Sequence, residues 1–179
     1  MSGAENAKHA PYYITTPIYY VNDNPHIGHV YTTLACDVLA RFMRLDGRDV
    51  KFLTGTDEHG QKVEQSAHVR GVDPQTFTDT VSQTFRDLSA VWDFSNDDFI
   101  RTTEARHVAA CQDLWRRLRD AGQIYLDSYA GWYAVRDEAF YSVDELRKGH
   151  DGCMYAPSGA PVEWVEEPSY FFRLSAWQQ

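Results

Sequence analysis

Cysteine is scarce and scattered: Cys36, Cys111 and Cys153 are the whole complement, too few and too far apart for a disulfide framework or a C-x-x-C metal knuckle. The three thiols are expected to be buried, apolar and reduced. No apolar run approaches the roughly 20 residues needed to span a bilayer, so no membrane partner is expected. The opening MSGAENAKHA also lacks the apolar centre of a secretory signal. The cytoplasm is the default location, and residues 1–11 read as a flexible start. Positive charge is short as well: lysine occurs only at Lys8, Lys51, Lys62 and Lys148, and the formal charge is −9. That balance argues against a general nucleic-acid coat, because phosphate-neutralising surfaces are basic. Arg116, Arg117 and Arg119 form the densest basic cluster, which on a helix reads as a solvated face. No internal repeat or low-complexity tract is evident.

What is present suffices for a globular protein. The 179 residues, 43% hydrophobic and 14% aromatic, can form one full core or a domain with a small insert. The stretch from Tyr13 to His29 organises the rest. It is an apolar, β-rich run that breaks at Asn22-Asp23-Asn24-Pro25 and then delivers His26 and His29, flanking Ile27-Gly28, at the start of a helical pattern. The first turn of a helix offers unpaired N–H groups and a partial positive charge, both suited to phosphate. Two imidazoles add donors, and Gly28, with no Cβ, lets a flat ring such as adenine approach the backbone.

From Gly28 onward, Val30, Leu34, Val38, Phe42 and Leu45 recur at three- and four-residue steps, which predicts an amphipathic helix of about five turns with that row as its inner face. Arg48 to Thr54 reads as a short buried strand that releases the polar loop Thr54-Gly55-Thr56-Asp57-Glu58-His59-Gly60. Strand, helix, strand begins a parallel α/β sheet, whose ligands sit beyond the carboxyl ends of the strands. Both polar loops therefore fall on one edge. Asp57 at a strand end can pair with an ammonium group. Direct metal binding by Asp57, Glu58 and His59 is disfavoured because adjacent residues point in different directions, and Glu58 and His59 are assigned to orienting the loop.

A short helix carrying Val63, Ala67 and Val69 follows, and Asp73-Pro74 starts a second whose row is Phe77, Val81, Phe85, Leu88 and Trp92. Phe99 to Thr103 reads as a strand. Thr102 or Thr103 then caps a helix with Val108, Cys111, Leu114, Trp115 and Leu118 inside. Past Gly122 the texture becomes aromatic and turn-rich, with strand character at 124–126, 129–135, 162–165 and 169–174 and a Ser142-x-x-Glu145 capping box between them.

Three motifs, Thr16-Pro17-Ile18-Tyr19-Tyr20-Val21-Asn22, Pro25-His26-Ile27-Gly28-His29 and Thr54-Gly55-Thr56-Asp57-Glu58-His59-Gly60, occur in an order and spacing that resembles the methionyl-tRNA synthetase family of class I aminoacyl-tRNA synthetases. Asp98 to Thr103 and the strands around Gly131-Trp132-Tyr133 add to the likeness. The resemblance implies an α/β fold: the first half of a Rossmann-like parallel sheet over 12–123, a small, mainly β connective module over 124–168, and a return toward the catalytic domain over 169–179.

The activity implied is formation of methionyl-adenylate from methionine and ATP with Mg2+, then transfer to initiator and elongator methionine tRNA. His26 and His29 match the HIGH-motif histidines that act on the ATP phosphates, and Gly28 the glycine beneath adenine. Pro17, Ile18, Tyr20 and Asp57 match the methionine site, with Asp57 on the amino group. Many relatives carry a zinc knuckle in the module. Here Ala134 and Asp137 occupy the first ligand pair and Cys153 is alone, so no structural zinc or other metal is expected. A KMSKS loop, found in the family's later half, does not occur before Gln179. The chain therefore reads as an incomplete N-terminal segment, by itself expected to be inactive or nearly so. The resemblance leaves oligomeric state open. Alternatives are another class I synthetase, a nucleotidyltransferase with His-x-Gly-His, or a non-catalytic segment acting as a binding module.

Overall fold

Pro17 divides what the sequence offers as one approach strand. In a computed structural model describing residues 10–178, Tyr12–Thr15 (β1) and Tyr19–Tyr20 (β2) are separate strands, since proline lacks the N–H a ladder needs. Most of the start expected to be flexible, residues 1–9, lies outside the described residues. Both strands run parallel to Val50–Asp57 (β3), with Thr15 opposite Leu53 and Tyr20 opposite Asp57. Asp98–Arg101 (β4) is also parallel to β3, with Leu53 opposite Asp98 and Thr56 opposite Arg101. Leu53 and Thr56 thus have a partner on each side, which makes β3 the central strand. Paired on both edges, β3 continues three residues past the expected end at Thr54, so Asp57 closes the strand rather than lying in a loop.

The connection from β2 to β3 is the helix Ile27–Leu45 (α1), of the expected length. Its inner face differs from expectation. The buried residues are Val30, Thr33, Asp37 and Ala40, whereas Leu34, Val38, Phe42 and Leu45 are exposed, Phe42 by 60% and Leu45 by 88%. The helix is held by polar bonds instead: Asp37 accepts from the Ser95 N–H and hydroxyl at 2.6 Å and from Arg41 at 2.7 Å. Arg44 donates to Ser95 at 2.6 Å and to Asp97 at 2.9 Å. Asp97 in turn accepts from the Phe52 N–H at 2.6 Å, tying this loop to β3.

Two further helices follow β3. Gln61–Arg70 (α2) ends at Gly71, which takes a left-handed conformation at φ 69°, as a helix C-terminus favours. Pro74–Val91 (α3) starts at Asp73, whose side chain accepts from the Thr76 N–H at 3.0 Å. Together they complete a core of Tyr19, Val21, Val63, Ala67, Phe77, Val81, Phe85 and Phe99. Val69 and Trp92, expected in those rows, are exposed.

Contact density divides the chain into one unit ending at Cys111 and another beginning at Gln112, within the helix Ala105–Asp120 (α4). None of the residues of α4 is buried, contrary to its expected inner face. Thr102 and Thr103 spend their hydroxyls on Glu58 rather than on a helix cap. In the second unit the expected pairs of short strands are continuous: Ile124–Ala134 (β5) pairs antiparallel with Ala139–Tyr141 (β6). Arg147–Lys148 (β7) pairs with Met154–Tyr155 (β8). Glu163–Phe172 (β9) pairs with β5 along its whole length. Among the described residues β9 has β5 as its one partner, so Pro168 costs the sheet nothing on the open edge. The Ser142–Glu145 capping box forms, on a single 3-10 turn. Ala134, Ala156 and Ala160 are buried beneath Tyr141 and Val162. The thiols depart from expectation in their burial: Cys36 is half-buried, and Cys111 and Cys153 are exposed.

Candidate active site

The start of α1 is capped by its own two histidines. His26 Nδ1 accepts from the Gly28 N–H at 3.1 Å, and His29 Nδ1 accepts from the His26 N–H at 3.0 Å. A ring nitrogen that accepts carries no proton, which leaves Nε2 as the outward donor of each ring. A Cβ on Gly28 would stand 2.9 Å from His26 Cε1 and push the ring off its cap. Glycine here is therefore required by the imidazole itself, beside whatever it allows a ligand. The rings lie 3.9 Å apart.

His29 is wedged edge-on between Tyr19 at 4.8 Å and Phe85 at 5.1 Å. Burial, and then neighbouring His26, push its pKa below the ordinary histidine value, which keeps it a neutral donor at neutral pH. The Tyr19 hydroxyl bonds Thr33 at 2.7 Å, fixing β2 to α1. An exposed helix N-terminus with two outward Nε2–H donors suits a phosphate chain.

Tyr20, the next residue, belongs to the other half of the site. It is opposite Asp57 in the ladder, so the two side chains share a face. Gly60 is at φ 106°, and a Cβ there would come within 2.5 Å of the Tyr20 hydroxyl; only glycine lets the loop close over that ring. Tyr20 and Asp57 are thus neighbours across the ladder. Pro17 and Ile18 lie in the break between β1 and β2. The Pro17 carbonyl accepts from Thr16 Oγ1 at 2.8 Å, while Thr16 Oγ1 also meets Thr54 Oγ1 at 2.7 Å. Both Pro17 and Ile18 are exposed.

Residues beneath Asp57 had no role in the sequence reading beyond loop orientation. Glu58 has a fully buried side chain and pairs with Arg101, whose side chain is 17% exposed. Burial pushes the Glu58 carboxyl up, but hydrogen bonds from Arg101, Thr103 and Thr56 outweigh it and hold the group below the usual carboxylate range. Its hydrogen bonds to Glu58 likewise raise the Arg101 pKa. Arg101 lies within the Asp98 to Thr103 stretch but carries no role in the sequence; the one hint is a cation at the end of β4, immediately ahead of Thr102-Thr103. The His59 ring nitrogen stands 3.4 Å from the Thr102 carbonyl. Glu58 is spent on an arginine, and no cluster of three or more His, Cys, Asp or Glu side chains that could hold a metal occurs among the described residues.

A family model for class I tRNA synthetases (M) matches residues 12–156. The chain is 65% identical over 167 residues to a methionine–tRNA ligase of Rickettsia conorii, covering 93% of this chain and 32% of that protein. It is 57% identical to that of Rhizobium meliloti, covering 94% and 33%. Among solved structures, Mycobacterium tuberculosis methionyl-tRNA synthetase bound by methionyl-adenylate superposes with a TM-score of 0.84 at 50% identity, covering 93% of this chain and 33% of that one. The chain spans about one third of the length of the relatives it matches.

Proposed function

Because the chain belongs to the class I tRNA synthetase (M) family, we propose that it carries the ATP and methionine half-sites of a methionine–tRNA ligase. The observation that carries this reading is β2. Its first tyrosine locks His29 against the start of α1, and its second stands opposite Asp57. One two-residue strand thereby sets a phosphate-binding helix end beside a carboxylate at the carboxyl edge of a parallel sheet.

In this reading His26 and His29 donate through Nε2 to the ATP phosphates and to the charge that grows on them as the methionine carboxylate attacks the α-phosphorus. Pyrophosphate leaves, and methionyl-adenylate remains. Gly28 faces adenine, Asp57 accepts from the methionine ammonium, and Tyr20, Pro17 and Ile18 line the amino-acid side. Positioning and charge stabilisation are what phosphoryl-group chemistry asks of a protein. Mg2+ accompanies ATP as part of the substrate, and initiator and elongator methionine tRNAs are the acceptors, in the cytoplasm. The connective module, which we assign to 124–168, is proposed to be zinc-free: Ala134 is buried among apolar atoms, and Asp137 is occupied by the Tyr141 and Ser158 hydroxyls.

Amino-acid-dependent exchange between ATP and pyrophosphate, measured on the full-length gene product, tests the reading. Exchange is expected with methionine and not with isoleucine, valine, leucine or cysteine. Exchange driven equally well by another of these amino acids, or none with methionine, contradicts it.

A further inference from the structure

Among the described residues no side chain clamps Asp57. The residues on either side of it are clamped. Glu58 Oε1 accepts from Arg101 Nε at 2.7 Å and Oε2 from Arg101 Nη2 at 2.9 Å, a bidentate pair. The same Nη2 reaches Asp79 on α3 at 2.5 Å. Thr56 Oγ1 donates to Glu58 Oε1 at 2.8 Å and the Thr103 hydroxyl to Oε2, while the Glu58 N–H donates to Thr102 Oγ1 at 2.9 Å. Thr56 also meets Ser82 at 3.2 Å. Side chains alternate along a strand, so with Thr56 and Glu58 tied down on the buried face, Asp57 is turned to the other.

A buried ion pair is a poor way to stabilise a fold, since apolar residues of like volume do as well or better. What a bidentate pair supplies is direction. The sheet anchors that direction, because Arg101 lies on β4 in register with Thr56. Resting on the reading of Asp57 as the partner of the methionine ammonium, we propose that Arg101, acting through Glu58, is a positioning residue that sets where the Asp57 carboxylate stands. It touches no substrate. Its effect falls on recognition of the amino acid and not on ATP.

The test uses the full-length gene product and separates substrates. Arg101→Met is expected to raise KM for methionine by about a hundredfold, the scale of a misplacement of about 1 Å, with KM for ATP unchanged. Arg101→Lys, which restores charge without the fork, recovers part of the loss. Arg106→Lys serves as a control and leaves both constants unchanged, because Arg106 pairs with Asp98 and Glu104 at the surface. Equal changes in both KM values, or a lower Tm with unchanged KM for methionine, overturn the proposal. Amide hydrogen exchange on the same variants needs no substrate: faster exchange confined to residues 54–60 in Arg101→Lys supports it, and unchanged or global exchange overturns it. A wild-type protein without methionine-dependent exchange contradicts the functional reading alone, and the amide measurement then decides the positioning claim.

Discussion

In the unit ending at Cys111 both carboxylates and large apolar side chains are buried; in the unit from Gln112 onward, among the described residues, three alanines are buried and the larger apolar side chains lie nearer the surface. The first buries Asp37, Glu58, Thr56 and Ser82, satisfies each with named partners, and leaves the apolar row of α1 uncovered. The second buries three alanines and keeps its carboxylates at the surface. It holds its strands through aromatic pairs such as Trp132 with Trp164 at 5.5 Å, Tyr129 with Phe140 at 4.6 Å and Trp115 with Tyr170 at 5.2 Å. Both units use a carboxylate to pin a loop, Glu58 in one and Asp137 in the other. The difference is depth. A buried clamp fixes a direction, which is what a site needs, while a surface clamp ties two turns together.

The contrast breaks most sharply under truncation. Phe77→Ala, in the first unit's core, is expected to cost about 3–5 kcal/mol in urea unfolding, and Glu58→Ala, which breaks the bidentate pair but leaves Arg101 its bond to Asp79, up to about 3 kcal/mol. Trp164→Ala, at an exposed pair of the second unit, costs under about 1 kcal/mol. Comparable losses at all three positions end the comparison.

Acid comes next. The Glu58 carboxyl is held below the usual range, so its contribution is complete above the unfolded glutamate value of about 4.3. It is lost as pH falls through the lower folded value. Glu58→Gln is expected to flatten the acid limb of the stability curve, and an unaltered limb contradicts the buried clamp. A smaller effect belongs to Asp137. Asp137→Ala lowers the melting temperature of the second unit, whereas a metal chelator leaves the wild type unchanged; a chelator-induced loss contradicts the zinc-free reading.

Smallest is His29. Its folded pKa is depressed, so the neutral ring adds stability above the unfolded value of about 6.5 that is lost as pH falls from there toward the folded value. An NMR titration is expected to find its midpoint below that of a free histidine, and a midpoint above it contradicts the wedged, neutral imidazole.

Sequence made the strand-to-helix turn of the first unit legible, because the break at Asn22 to Pro25 and the start of α1 at Ile27 are set by a few adjacent residues. The parallel sheet and the caps at Asp73 and Gly71 were readable for the same reason. What escaped depends on partners distant in the chain. The Glu58 clamp joins residues 43 apart, and neither alone signals burial. Likewise Asp37 occupies the inner face of α1 because Ser95, 58 residues later, supplies its hydrogen bonds, while the apolar row at Leu34, Val38 and Phe42 predicted the opposite. In the second unit the strands were read too short, since turn-forming residues such as Asp127, Ser128 and Pro168 interrupt the pattern without interrupting the ladder.

The proposed division of labour between an ATP half-site and a methionine half-site on either side of β2 is best tested by steady-state exchange kinetics of Asp57→Ala and His29→Ala in the full-length gene product. Asp57→Ala is expected to raise KM for methionine with KM for ATP spared. His29→Ala is expected to lower kcat for adenylate formation by about a hundredfold, the scale of one lost transition-state donor, with methionine affinity retained. Unchanged constants in both variants, or the two effects exchanged, would contradict the account.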